Sequence, residues 1–260
     1  MKKFFGFLFA FLLSVTTALA TDIRLVQIDN LQFSPANEDK FIELIKEIND
    51  LKNVDFIVFS GSNISKPNKE ELEAFLKTAK KLKKPYYVVL GMKDVNKRKN
   101  LSKTEYIQTV KKYARAHKGI ENPNYVFEKN GMVFIVADGS KEVIPTPNGY
   151  YRDNVIQWID EQLRINKDKN VVILQHYPII PPSNRETYYT FKAEDYLRML
   201  SAHKNVKAVI SGHFNTLNEQ KFKGVVHIST SDFPTYRIID IVDCDTKNPE
   251  FWSTIKEIKN

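Results

Sequence analysis

The sequence predicts a mixed α/β domain, and three observations carry that reading. Short apolar runs rich in β-branched and aromatic residues alternate with longer segments of helical spacing through the first half of the chain. Such β-α-β alternation argues for parallel strands joined by right-handed crossovers. In the last third the strand-like runs lie close together, which argues for antiparallel pairing there. No composition break, repeat or low-complexity segment divides the chain, so one large domain is expected.

The first strand is expected at 23–28, followed by 56–60, 86–90, 132–137, 171–175, 208–211, 225–229 and 236–242, with a final one around 251–258. Helical spacing covers 36–51, 68–82, 103–117, 152–165 and 194–203. Pro35 and the pair Pro67-Asn68 stand where two of these helices start.

Residues 1–20, "MKKFFGFLFAFLLSVTTALA", read as a signal peptide. Lys2 and Lys3 precede an apolar core from Phe4 to Val15, and Ala18-Leu19-Ala20 forms a small-x-small cleavage site. That core is too short to span a bilayer comfortably, so removal is expected, leaving a domain over 21–260 that is periplasmic or secreted. No later stretch is apolar enough for a transmembrane segment. Cys244 is the only cysteine, so no intrachain disulfide can form. The formal charge is +8, but the lysines alternate with glutamates, as in "NKEELEAFLKTAKKLKK". This describes solvated helix faces, and no aromatic-interleaved basic stripe accompanies them, so nucleic acid is not an expected partner.

In open α/β sheets, polar residues just past the carboxyl ends of the strands converge on one crevice. Here those ends read "QIDNLQF", "VFSGSNIS", "VVLGMKDVN", "ILQHYPIIPP" and "VISGHFNT". In that order they resemble the calcineurin-like metallophosphoesterases, whose loops read Asp-x-His, Gly-Asp, Gly-Asn-His-(Asp/Glu), an isolated His and Gly-His-x-His. The likeness extends over nearly the whole chain after the leader. It implies a layered α/β/β/α sandwich of mixed sheets and a hydrolase of phosphoric esters built on two divalent ions.

Residue by residue, the resemblance places Asn30 at the first ligand Asp and Gln32 at the first ligand His; a one-residue shift would instead make Asp29 the Asp. Ser62 stands at the metal-bridging Asp, Met92 at the ligand Asn, Lys93 at the substrate-side His, and Asn215 at the last ligand His. His176 and His213 match ligand positions, and Asp94 matches its acidic position. Each replacement lowers affinity for cations. Amide and hydroxyl oxygens add no negative charge, Met92 offers only a thioether, and Lys93 brings an ammonium. No tightly bound cofactor is therefore expected, and at most one weak divalent ion (Mn, Zn or Fe) on His176 and His213 with Asp29 or Asp94.

Several readings stay open on sequence alone. His176 and His213 are either ligands or core histidines held by hydrogen bonds. Lys93 either binds a phosphate-like anion or is solvated at a loop tip beside Lys97, Arg98 and Lys99. Asp94 either pairs with Lys93 or His176 or caps the following turn. Segment 178–189, with Arg185 and two tyrosines, is a substrate-side loop or an ordinary excursion. His117, His203 and His227 fit surface or strand positions. Three functions follow: a pseudoenzyme binding a protein partner or a phosphate-like small molecule, an active phosphoesterase with a rearranged or mononuclear site, or a metal-independent enzyme. That last would use Lys93, Asp94 and the two histidines for acid–base work, with Ser62 as nucleophile only beside a histidine.

Overall fold

The computed structural model of the chain describes residues 22–182 and 188–258. The expected leader (1–20) and Arg185 lie outside the described residues. The strands are β1 (Ile23–Ile28), β2 (Phe56–Phe59), β3 (Tyr86–Val88), β4 (Tyr125–Lys129), β5 (Met132–Ala137), β6 (Gly149–Tyr150), β7 (Val171–Gln175), β8 (Thr190–Phe191), β9 (Val206–Ser211), β10 (Asn218–Phe222), β11 (Val225–Ser229), β12 (Thr235–Val242) and β13 (Glu250–Glu257). The helices are α1 (Glu38–Asp50), α2 (Lys69–Ala79), α3 (Lys103–Tyr113), α4 (Asp153–Ile165) and α5 (Ala193–Ser201). Among the described residues, no helix is long and apolar enough to cross a membrane.

Two sheets stack face to face. One has the order β13-β12-β1-β2-β3 and the other β10-β11-β9-β7-β5-β4, while β6 and β8 form a small parallel pair. Strand alternation sets the layers. Val26, Ile28, Ile57 and Phe59 face the helix side of the first sheet, against Phe41, Leu44, Phe75 and Tyr106 of α1 to α3. Their neighbours Ile23, Leu25, Phe56 and Val58 face the other way and meet Phe134, Val136, Val172 and Leu174 of the second sheet. Val133, Ile135, Val171 and Ile173 then pack on Ile159, Leu163 and Leu200 of α4 and α5. Strands buried on both faces read as continuous apolar runs, as parallel strands between layers must. The result is the α/β/β/α sandwich.

Helix starts follow their capping residues. Asn68 accepts the Glu71 N–H at 2.8 Å, and Ser102 with Glu105 closes a reciprocal box at the start of α3. Pairing in the last third is less uniformly antiparallel than the close spacing implies. β12 lies antiparallel to β1 and β13, but β11 lies parallel to β9. The reason is a tight turn: Lys223 and Gly224 both hold positive φ (48° and 88°), the two-residue hairpin geometry, so β10 folds back outside β11. Asn130-Gly131 (φ 47° and 78°) makes the equivalent turn between β4 and β5. The outermost strands β4, β10 and β13 carry charged side chains at exposed positions, among them Glu128, Glu219, Lys221, Glu250 and Glu257.

The carboxyl ends of the two sheets are tied together by buried polar groups. Gln27 donates to Ser60 Oγ (3.0 Å) and to the Ser211 carbonyl (2.8 Å), and its own oxygen accepts from Thr230. Arg237, buried on β12, reaches Thr230, the Ser229 carbonyl, Ser253 and Glu219. At the centre is Asp29, fully buried, whose carboxylate accepts from Ser60 Oγ (2.8 Å), the His213 N–H (2.8 Å) and Asn30 Nδ2 (3.0 Å). Gly212 packs directly on it, and a Cβ there would lie 1.8 Å from Asp29 Oδ1.

His117 is buried rather than at a surface position; its Nε2 accepts the Val88 N–H at 3.3 Å. Burial pulls its imidazole down to about 3 from an ordinary 6.5.

Two tests follow from this packing. Gly212→Ala must displace the Asp29 carboxylate, so it is expected to cost at least the upper part of the roughly 1–3 kcal/mol typical of overpacking. Thermal melting should fall by several degrees; an unchanged midpoint would show that the two sheets are not held at Asp29. For His117, the unfolded chain gains the proton first as pH falls through 6.5, so the native contribution is full above 6.5 and is lost toward pH 3. The stability gap between the native protein and His117→Gln should narrow over that window, by up to about 1.4 kcal/mol per pH unit. Denaturant unfolding at several pH values measures it, and a constant gap contradicts the buried neutral histidine.

Candidate functional site

The sequence-predicted residues do converge. A cavity of about 260 Å³ opens beyond the strand ends. Asn30 and Gln32 reach it after β1, Ser62 after β2, Met92 and Lys93 after β3, and His213 and Asn215 after β9. Asp232, after β11, and Tyr188, from the 178–189 segment, complete the wall.

The loops after β1 and β2 run side by side, joined by the Asn30, Gln32 and Phe33 N–H groups donating to Gly61, Ser62 and Asn63 carbonyls at 2.8–2.9 Å. This pairing answers whether Asp29 or Asn30 faces the site. Asn30 lines the cavity, and Asp29 is fully buried behind it, bonded to the Asn30 amide. The lining backbone is unusual: Asn30, Gln32, Ser62, His213 and Asn215 hold φ values of 45°, 45°, 41°, 74° and 49°. Left-handed backbone at a non-glycine residue costs roughly 1 kcal/mol or more, with asparagine the most tolerant. Gly61 (φ 110°) lets His176 approach, since a Cβ there would lie 2.5 Å from His176 Nδ1.

The two imidazoles are in contact, with His213 Nδ1 3.1 Å from His176 Nε2. Their outer nitrogens face carbonyls: His176 Nδ1–H donates to Ser60 O at 2.9 Å, and His213 Nε2–H to Pro147 O at 2.5 Å. A carbonyl only accepts, so each outer nitrogen carries the proton, and His213 Nδ1 and His176 Nε2 turn their lone pairs toward one another. Burial pulls His176 down to about 4, against the pull of the Ser60 carbonyl. Its Nδ1 also lies 3.6 Å from Asp29 Oδ1.

Lys93 is half-buried, and its ammonium donates to Gln32 Oε1 within the cavity wall, so it is not solvated at a loop tip. Asp94 pairs with neither Lys93 nor His176. It is fully buried under the loops and accepts the N–H groups of Gly91 (2.7 Å), Asn63 (2.7 Å) and Ile64 (3.2 Å), plus Asn63 Nδ2 (3.2 Å). Burial lifts it to about 7 against those bonds. Its geometry is that of a loop anchor, and it is absent from the cavity lining.

Asp232 is the residue that sequence reasoning missed. Its Oδ1 accepts from Asn30 Nδ2 at 2.7 Å, so one amide group bridges the carboxylates of Asp29 and Asp232. Burial raises Asp232 above the usual carboxylate range, while Asn30 and Lys93 draw it back; Asp29 is raised well above that range, again by burial first. Asn215 closes this side, its Oδ1 accepting from Ser231 Oγ at 2.6 Å. Among the described residues, no group of three or more His, Cys, Asp and Glu side chains is arranged to hold a metal ion.

No curated protein matches the chain in sequence. Solved structures do match in fold. A dimetal phosphatase from Danio rerio superposes with a TM-score of 0.65 at 15% identity, covering 88% of this chain and 98% of its own. A purple acid phosphatase from yellow lupin (Lupinus luteus) gives 0.58 at 11%, covering 92% of this chain, which spans about half (52%) of that protein. GAP50, described as the anchor in the inner membrane complex of Plasmodium, gives 0.54 at 17%, covering 92% and 90%. At these identities the likeness shows the fold. The family model for Calcineurin-like phosphoesterase matches residues 16–215, most of the chain. The protein is thus a member of the calcineurin-like phosphoesterase family.

Proposed function

We propose that this is an exported member of the family in which the dinuclear metal centre has given way to a hydrogen-bonded cavity. The protein acts as a pseudoenzyme, taking up a phosphate-like anion or a protein segment that carries one. The observation that carries this reading is the Lys93 ammonium on Gln32 Oε1, in the wall where the resemblance puts metal ligands. An ammonium about 5 Å from a dication repels it by roughly 7 kcal/mol at an effective dielectric of 20. Asn30 points the same way. Its amide donates to both Asp29 and Asp232, the task a cation would perform for an aspartate in that place. The donor set present does not fit two divalent ions. Export rests on the leader-like residues 1–20.

Asp232 favours a second reading, an active phosphoesterase with one ion. His213 Nδ1 and His176 Nε2 already turn lone pairs to one another at 3.1 Å, and Asp232 shares the cavity wall with His213. The fold does not decide between the two, since its structural neighbours include both a dimetal phosphatase and a protein described as an anchor.

Calorimetric titration with Mn²⁺ and then Zn²⁺ separates them. At most one weakly bound ion is expected; one tightly bound ion, lost in His213→Ala, supports the second reading instead, and tight binding of two ions per chain refutes the proposal. Asn30→Asp should set three carboxylates against one another. Its melting temperature is expected to fall in chelator and to recover with Mn²⁺, whereas the native midpoint stays unmoved by either. Finally, Lys93→Ala should weaken binding of inorganic phosphate roughly tenfold or more, the scale of one charge-assisted hydrogen bond, with Lys93→Arg retaining part of it. Equal phosphate affinity in both variants and the native protein would remove the anion from this cavity.

A further inference from the structure

A second charged pocket lies at the opposite pole. The cavity sits at the carboxyl ends of the parallel strands, whereas β9 and β11 begin beside a depression of about 330 Å³ formed with the end of α5 and the β12–β13 connection. Its rim is built from Lys204, Lys207, Lys221, Lys223 and Lys247, with His203 beside them, and among the described residues no aspartate or glutamate lines it. This differs from the helical faces, where lysine and glutamate alternate, as on α2.

Of the acidic groups around it, Asp160 is held at the rim by His203 Nε2 (2.7 Å) and also bonds Arg164 (2.7 Å), and Glu219 turns to Arg237. Asp245 and Glu250 are exposed beside the wall at 247–251. Lys207 leans over the pocket from β9 and is half-buried. Its ammonium donates only to carbonyls, Lys204 O at 3.1 Å and Lys247 O at 2.8 Å, and burial lowers its pKa. Those bonds join two of the three lysine-bearing segments, 204–207 and the one at Lys247, around one concavity.

Ammonium groups about 7 Å apart repel by roughly 0.6–2.4 kcal/mol per pair, depending on the local dielectric. A multivalent anion seated among them removes that repulsion. One phosphate monoester carries about −1.5 to −2 charge, less than half of what five ammonium groups offer. We propose that this pocket is a binding site for ligands presenting two or more phosphate groups, either as a free oligophosphate or as adjacent anionic phospholipid headgroups at a membrane surface. Bound there, the protein keeps its cavity facing away from the ligand.

The test uses tripolyphosphate as the free probe, in the Lys93→Ala background so that the cavity does not contribute. Lys223→Glu/Lys247→Glu changes two exposed loop lysines of the pocket, and Lys46→Glu/Lys77→Glu makes the same charge change on exposed faces of α1 and α2. Calorimetry is expected to show at least tenfold weaker binding in the pocket variant and less than twofold in the control, with circular dichroism unchanged in both. Flotation with phosphatidylglycerol vesicles, against pure phosphatidylcholine, distinguishes the source. Vesicle binding that tripolyphosphate fails to displace, but the pocket variant abolishes, assigns the site to lipid headgroups. Equal weakening in both double variants, or no binding of either probe, overturns the proposal. So does single-stranded DNA binding that the pocket and control variants weaken alike, because the lysines then act only through overall charge.

Discussion

The arrangement at the strand ends hangs on one buried carboxylate. Asp29 leaves β1 in the first sheet and binds Ser60 from the second strand of that sheet and the His213 backbone from the second sheet. Moving an acid of this kind from water to a protein interior costs several kcal/mol unless its oxygens are matched by donors. Here three donors surround it, and the absence of a side chain at Gly212 makes room for it. Gln27, Thr230 and Arg237 extend the same polar seam between two otherwise apolar sheet faces. Slippage of one sheet against the other would strand all of these groups without partners, so the seam fixes the position from which every cavity residue projects.

Above that seam, backbone and side chains tell different stories. Five non-glycine residues accept left-handed conformations to aim at a shared space, an expense of several kcal/mol across the site. The groups they deliver are amides, a hydroxyl and an imidazole already satisfied by a carbonyl. Strain of this sort persists where convergence itself is useful.

Much of this was visible in the chain itself. Alternating apolar runs located β1, β5, β7 and β11 to the residue, because strands buried on both faces leave little ambiguity. That the loops after β1, β2, β3 and β9 converge followed from the rule that parallel strands release their loops at one end. Within them, Asn30, Ser62, Lys93 and His213 were singled out by the family resemblance. Other features depended on partners far away in sequence. Strand β4, half-exposed at a sheet edge, shows no clear apolar pattern, although Asn130-Gly131 beside it is a strong hairpin signal. Polar "NEQKF" became β10 only through its turn with β11. Asp232 lies outside every motif and meets Asn30 across 202 residues, and Asp94 looked catalytic until its oxygens were seen to face backbone N–H groups.

The charged outer strands bear on how the molecule behaves in company. A sheet edge exposes a ladder of unpaired N–H and C=O groups that another chain can extend. Glu219 and Lys221 on β10, Glu128 on β4, and Glu250 and Glu257 on β13 stand along those borders. A second copy approaching edge to edge would have to strip water from charges before forming its first hydrogen bond. Among the described strands of the two stacked sheets, the edge without such charges is β3 (Tyr86–Val88), so charge leaves edge-to-edge growth one unguarded side, at the end of the first sheet.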